Sequence, residues 1–292
     1  TLKQLRYFEA LARTGHFGRA ADDCSVTQPA LSMQIKELEA ELGSTLVERG
    51  RDLRLTGFGE EVAARARDIL SAVEELGDIA RAAEDRLVGR LRLGVIPTVA
   101  PYLLPRVLSA LADDQAALDI HVRETVTPRL IAELGEGRLD AAVVALPVSE
   151  PSLVEVPLFS EAMLLVRPET QAGHPVPTAE GLREERLLLL EEGHCFRDQA
   201  LSFCSMPTAM PREGLDGSSL STLVQMVGAG LGITLIPEMA VSVETPSAPV
   251  VVAHFPAPRP SRTSGMGWRK TTPLSKQLMD IATLVRRAAG YG

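Results

Sequence analysis

The stretch FGRAADDCSVTQPALSMQIKELEAELG, Phe17 to Gly43, decides how the N-terminal end of the chain folds. Phe17 to Cys24 reads as a short helix in which Ala20 and Ala21 let a neighbouring helix pack closely. Ser25, Val26 and Thr27 turn the chain. Thr27 is a good N-cap, and Pro29 falls in the first helical turn, where a missing N–H costs nothing. From Gln28 to Leu42, the residues Leu31, Ile35, Leu38 and Leu42 share one face, and Gly43 ends the helix. Upstream, Leu5, Phe8, Leu11 and Ala12 mark another helix, Leu2 to Thr14, broken by Gly15. Two helices joined by a tight turn form a helix-turn-helix, whose second helix presents its first residues to base edges in the major groove. Those residues are Thr27, Gln28, Pro29 and Ser32, with Gln34 and Lys36 further along. Gln can make paired hydrogen bonds to adenine, whereas Lys36 and Arg6 are placed to touch phosphates. Spacing alone fits a small helical bundle with a solvated face equally well.

Outward from this stretch, Leu46 to Thr56 alternates around Gly50 as a β-hairpin does, and Arg49, Arg51 and Arg54 crowd into it. Such a wing suits a phosphate backbone, or simply adds solubility. From Thr56 to Leu87 there is no proline. Val62, Ala66, Ile69, Val73, Leu76, Ala80, Ala83 and Leu87 repeat at alternating steps of four and three, an a/d seam that needs a partner helix and so predicts a dimer. Bulk charge does not argue for nucleic acid. The net charge of the 292-residue chain is −8, and residues 1–65 carry nine Lys/Arg against ten Asp/Glu. Any DNA contact must come from local placement. No run is long and apolar enough for a membrane span, no charged-then-apolar leader opens the chain, and three cysteines are too few for a disulfide framework. A cytoplasmic protein with no membrane partner is expected. The five scattered histidines and the lack of CxxC, HExxH, GxGxxG and GxxxxGK[ST] predict no metal site and no cofactor.

From Val88 onward, strand and helix patterns alternate. Strands are expected at 91–96, 118–123, 139–145, 163–166, 187–190 and 233–236, and helices at 103–112, 128–136, 220–229 and 274–288. This is an α/β unit with a mostly parallel sheet, and ligands bind such sheets at strand ends. Its length suggests two lobes. Within it lies LEEGHCFRDQALSFC, Leu190 to Cys204, which holds Cys195 and Cys204. Phe196 to Phe203 reads as a helix, which would set the two Cα atoms about 13–14 Å apart. A disulfide needs them within roughly 7 Å, so joining these cysteines requires unwinding the segment. His194 and Arg197 beside Cys195 would favour a reactive thiolate. Against that stands the ordinary fate of intracellular cysteines, which is to be inert core residues. Cys24, between the helices, fits that role.

The pattern FxxAAxxxxVTQPALSxQIKxLExELG, a wing ending in LT and a long dimerising helix resemble the N-terminus of LysR-type transcriptional regulators. IPTVAPYLLP (Ile96 to Pro105), GHCFRDQALSFC (Gly193 to Cys204) and GAGLGITLIP (Gly228 to Pro237) resemble the OxyR, or peroxide-sensing, branch of that family. The resemblance implies an all-α winged helix-turn-helix over residues 1–57, a dimerising linker helix over 58–87 and an effector domain over 88–292. The effector domain would be α/β, two-lobed and similar to periplasmic binding proteins, with lobe I at about 88–162 and 266–292 and lobe II at about 163–265. The seam residues Val62, Ala66, Ile69, Val73 and Leu76 would join two chains, and two dimers would form a homotetramer on double-stranded promoter DNA, acting with RNA polymerase. Hydrogen peroxide would oxidise Cys195, Cys204 would resolve it into a disulfide, and cellular thiol reductants would reset the pair. Thr98 and Thr127 would hold the peroxide, with His194 and Arg197 favouring thiolate and leaving hydroxide and Asp198 ordering Arg197. Without the resemblance, a capping hydroxyl is the better reading of Thr98, and Thr127 has a similarly local one. Ala100 stands where the family has glycine, which puts peroxide access in question. A LysR-type regulator that binds a small organic effector between the lobes is the alternative. A thiol peroxidase is a further rival, disfavoured by the N-terminal motif, so no enzyme is expected.

Overall fold

A computed structural model describes residues 1–49, 53–83, 87–114, 118–204 and 216–290. The chain divides into two compact units, Thr1–Ala80 and Arg81–Gly292.

In the first unit, α1 (Leu2–Thr14) begins with a capping box between Thr1 and Gln4 and ends where Gly15 takes φ 62°. It packs on α2 (Phe17–Asp23) and α3 (Gln28–Leu42) around Phe8, Leu11, Ala20, Ala21, Leu31, Ile35 and Leu38. The helices are those the hydrophobic spacing predicts, and Leu31, Ile35 and Leu38 face inward as expected, whereas Leu42, in the last turn before the Gly43 stop, is exposed. Cys24 is the C-cap of α2, half-buried against this core, and burial pushes its thiol up, with Asp23 adding to the shift. The wing follows as β1 (Val47–Arg49) and β2 (Leu53–Leu55), antiparallel with Val47 opposite Leu55. Arg51 and the Arg49 side chain lie outside the described residues, and Arg54 is exposed.

Next comes α4 (Gly57–Ala82). Its Gly59 lies so close to the wing that a Cβ there would meet the Leu46 carbonyl oxygen at 2.0 Å. The expected seam divides along its length. Val62 packs on the helical core and Ala66 is buried within this one chain, whereas Ile69 is 45% and Leu76 67% exposed. The helix stops at Ala82, short of the expected Leu87, because Leu87 is drawn into the core of the second unit beside Leu91.

The second unit comprises β3 (Gly89–Val95), α5 (Ala100–Asp114), β4 (Leu118–Glu124), α6 (Thr127–Gly135), β5 (Ala141–Leu146), β6 (Leu153–Pro168), α7 (Cys195–Phe203), α8 (Leu220–Gly228), β7 (Thr234–Pro237), α9 (Val241–Glu244), β8 (Val250–Ala253), β9 (Ser261–Arg269) and α10 (Ser275–Ala289). The strand order is β4-β3-β5-β9-β6-β7, with β8 also on β6. Only β3 pairs in parallel, with β4 and β5; β9 and β6 are antiparallel, as are β7 and β8 against β6. The expectation of a mostly parallel sheet is therefore corrected to a mixed one. The reason is that β6 and β9 carry the chain between lobes in opposite directions. The first part of β6 pairs with β9 as far as Ala162 opposite Ser261, and the rest, from Met163, pairs with β7 and β8.

Each lobe has its own core, one around Leu93, Trp268 and Ile281 and the other around Leu165, Leu223 and Ile236. The chain returns to lobe I at Ser261, earlier than the Gly265 boundary expected, since β9 pairs with β5 from Thr263 on. The expected strand at 187–190 is only two isolated parallel bridges, Leu187 to Ile233 and Leu190 to Gly217.

Candidate functional site

The ends of the parallel strands β3 and β4 and the start of α7 meet at one narrow crevice. Ile96, Pro97, Thr98, Val126, Thr127, His194 and Cys195 line it. Parallel strand ends are the ordinary binding edge of such sheets, because the loops leave the backbone there with nothing left to pair. Gly193, at φ 90°, makes the bend that presents His194 and Cys195, and its bare Cα faces Val126. Cys195 is the first residue of α7 and is half-buried, so its sulfur sits at the end of the helix that carries partial positive charge.

Thr98 is buried at the base. Its Oγ1 accepts a hydrogen bond from Arg262 Nη1 at 2.8 Å, and its carbonyl accepts from Arg262 Nη2 at 2.9 Å. The capping role that local sequence favours for Thr98 gives way to this longer-range one. Arg262 is completely buried and pairs with Glu161 at 2.8 Å, while Glu161 Oε2 accepts from the Met239 amide. The guanidinium also lies over the Phe196 ring, 5.3 Å from its centre. Arg262 is the site residue that sequence reasoning missed. Thr127 is the first residue of α6, and its hydroxyl is buried without a hydrogen-bond partner among the described residues. Ala100 turns its methyl into the lobe I core and is not among the crevice residues, so it does not narrow the crevice.

Three expectations for the cysteine's neighbours change. His194 is buried, and burial lowers its pKa from the usual 6.5, opposed in part by Glu191. A neutral imidazole supplies a ring nitrogen to the crevice but no positive charge. Arg197 is buried and turned inward, where Nη1 donates to the Leu190 carbonyl at 2.7 Å and pairs with Asp216 at 3.1 Å. Its guanidinium does not line the crevice. Asp216, not Asp198, orders it: Asp198 is exposed and faces a separate shallow pocket with Ser202 and Phe203.

The lowered His194 pKa has a sign that can be measured. An imidazole harder to protonate folded than unfolded gives its full stabilisation above about pH 6.5 and loses it as pH falls through the lowered value. Urea stability of the reduced protein is therefore expected to drop between about pH 7.5 and pH 5, and His194→Gln is expected to flatten that drop. An unchanged pH profile in the variant would assign the drop to other groups.

At the other end of α7, Cys204 is fully buried in the lobe II core as the helix C-cap, and none of the three cysteines is bridged. Phe196, Ala200 and Leu201 hold the helix in place from its buried side. Phe and Leu burial of this kind is worth roughly 1.5–3 kcal/mol per side chain, so the wound helix resists closure of the cysteine pair.

A larger cleft of about 340 Å³ lies between the lobes, beside the crevice, and His194 lines both. Here the Tyr102 hydroxyl of lobe I donates to Glu244 Oε1 at 2.6 Å, and Ser221 donates to the other carboxylate oxygen. Burial and this carboxylate push the Tyr102 phenol well up, so it stays protonated. On the first unit, Gln28, Pro29 and Lys36 are exposed and Ser32 is partly so. The Thr27 hydroxyl accepts from the Ala30 amide as the cap of α3 and keeps its own proton to donate, while the Gln34 amide donates to Glu37. Among the described residues there is no cluster able to hold a metal ion and no helix long and apolar enough to cross a membrane.

Comparison with known proteins agrees in both units. Residues 2–60 match the family described as bacterial regulatory helix-turn-helix protein, lysR family, and residues 84–290 the LysR substrate binding domain. The chain is 41% identical over 292 residues to the DNA-binding transcriptional dual regulator OxyR of Escherichia coli K12, covering 98% of this chain and 94% of that protein. It is 42% identical over 293 residues to a probable hydrogen peroxide-inducible genes activator of Streptomyces viridosporus, at 99% and 94% coverage. Among solved structures it is similar to a cysteine-to-aspartate variant of full-length OxyR from Pseudomonas aeruginosa, with TM-score 0.75, 36% identity and coverage of 98% and 94%. It is also similar to a hydrogen peroxide-bound cysteine-to-serine variant of OxyR from Corynebacterium glutamicum, with TM-score 0.66, 35% identity and coverage of 99% and 92%.

Proposed function

The chain belongs to the LysR family of bacterial transcriptional regulators, in its OxyR branch, and on that premise we propose that it senses hydrogen peroxide through Cys195 and Cys204 and changes its grip on promoter DNA. The observation that carries this is one helix, α7, with a crevice-lining cysteine as its first residue and a core-buried cysteine at its last cap.

The Cys195 thiolate attacks one peroxide oxygen, the O–O bond breaks, and hydroxide leaves, giving a sulfenic acid. Because Arg262 donates to Thr98 Oγ1, the hydroxyl's own proton is turned away from the guanidinium and free to meet peroxide. The unpartnered Thr127 hydroxyl and the neutral His194 ring supply further hydrogen-bonding groups on the same crevice. Cys204 then attacks the sulfenic sulfur, water leaves and the disulfide forms. That second step needs α7 to unwind and Cys204 to leave the lobe II core, so a covalent bond replaces lost packing and refolds one face of the lobe. Two electrons from cellular thiol reductants restore both thiols. Each cycle consumes one peroxide per bond, which is stoichiometric sensing and not turnover.

The regulator acts in the cytoplasm as a homotetramer, a dimer of dimers on double-stranded promoter DNA, and passes its change to RNA polymerase at antioxidant genes. Gln28, Pro29 and Ser32 face the groove, Thr27 and Gln34 support them, and Lys36 with Arg49, Arg51 and Arg54 of the wing follows the phosphates. Chains pair along α4 through Ile69, Val73 and Leu76, while Val62 and Ala66, the other two seam residues expected, are engaged in packing within the chain. Leu76→Asp is expected to shift sedimentation toward smaller species at micromolar concentration; an unchanged profile would move the pairing off this helix.

Footprinting on a promoter tests the function as a whole. Reduced and peroxide-treated protein are expected to protect differently spaced half-sites. Identical footprints, with a response to an organic compound instead, would favour the cleft between Tyr102 and Glu244 as an effector site.

A further inference from the structure

We infer that Met33 reads a thymine methyl group in the major groove, an assignment that rests on the DNA-binding function proposed above. Leu31, Ile35 and Leu38 form the buried stripe of α3. At 3.6 residues per turn, the side diametrically opposite that stripe is centred on Pro29, Met33 and Ala40, flanked by Lys36 and Glu37, with Ser32 about a quarter-turn round. Met33 is 56% exposed and takes no part in the helical core. A large apolar side chain thus stands at the outermost point of the helix that presents itself to DNA, between polar neighbours.

Among the groups that base edges show in the major groove, the thymine C5 methyl is the apolar one. An unbranched, polarisable thioether adapts readily to such a contact. Charge adds a reason. With nine Lys/Arg against ten Asp/Glu in residues 1–65, phosphate attraction supplies less of the affinity than in a basic domain, and contacts that exclude water from base edges carry more. Gln34 donates to Glu37 and Lys36 is placed for phosphate, which leaves Thr27, Gln28, Ser32 and Met33 as the side chains toward the base edges.

The test begins by selecting duplexes from random sequence with the full-length oxidised protein. Each thymine of the selected half-site is then replaced singly by deoxyuridine, which removes only the methyl. Wild-type protein is expected to bind about fourfold more weakly at one thymine per half-site, the effect of uncovering one buried methyl-sized group. Met33→Ala should bind the thymine and deoxyuridine duplexes equally at that position, and Met33→Leu should keep the preference. Equal losses in wild type and Met33→Ala at every thymine, or selected sites without thymine, would overturn the assignment. So would a Met33→Ala chain that changes its oligomeric state and not its base preference, which would place Met33 in a contact between copies. Failure to select any sequence would instead reject the DNA-binding reading itself.

Discussion

Cys195→Ser is expected to abolish the promoter response to peroxide completely while leaving the protein folded and able to bind DNA in its reduced mode. Serine replaces sulfur by oxygen at a half-buried position at the start of α7, so packing changes little and stability should move by less than about 1 kcal/mol. A hydroxyl does not attack peroxide, so no sulfenic acid forms and α7 stays wound. Cys204→Ser separates the two chemical steps. Its Cys195 should still oxidise and be trapped by a sulfenic-acid-selective reagent, but no disulfide follows and the footprint should remain that of the reduced protein. A reporter under peroxide, read beside the trapping reaction, distinguishes these outcomes. A Cys195→Ser chain that still responds would move the sensing to an organic ligand between the lobes.

The second large effect is expected at Arg262, remote in sequence from the cysteines yet bonded to Thr98. Arg262→Met leaves Glu161 fully buried with its charge uncompensated. Breaking one side of such a pair costs about 3–5 kcal/mol, which for a unit of this size lowers Tm by roughly 6–20 °C. Thr98 also loses the donor that fixes its hydroxyl, so the surviving folded protein should oxidise Cys195 more slowly. Replacing both partners, Glu161→Gln with Arg262→Met, should recover much of the stability without restoring the rate. Equal recovery of both would mean that Arg262 acts on the site only by holding the fold.

Local features of the sequence were legible because they depend on neighbours within a turn or two. The periodicity of Leu31, Ile35 and Leu38, the Thr27 cap and the Gly15 and Gly43 stops specify α1 to α3 without long-range information. Cys195 at the start of a helix and Cys204 at its end could be read in the same way. What could not be read depends on partners far along the chain. β6 and β9 pair across about a hundred residues, and their antiparallel register leaves no mark in either strand alone. Arg262 enters the site only because Ala162 and Ser261 bring the two crossing strands together. Asp198 looked like the partner of Arg197 by proximity in sequence, but the helix turns them to different sides and Asp216 takes the place. His194 looked like a cation until its burial was visible. The methyl of Ala100 could not be assigned to the core, and not to the crevice, from its position in a loop motif.

One peroxide is expected to convert α7 from a helix bounded by two thiols into a segment tied by a Cys195–Cys204 bond. The most direct measurement treats the reduced full-length protein with one equivalent of hydrogen peroxide, quenches free thiols and maps disulfides by peptide mass spectrometry. A single Cys195–Cys204 linkage is expected, with Cys24 still reduced and no linkage in Cys195→Ser or Cys204→Ser. Cys195 recovered as a free thiol after that dose, or joined to Cys24 instead of Cys204, would contradict it.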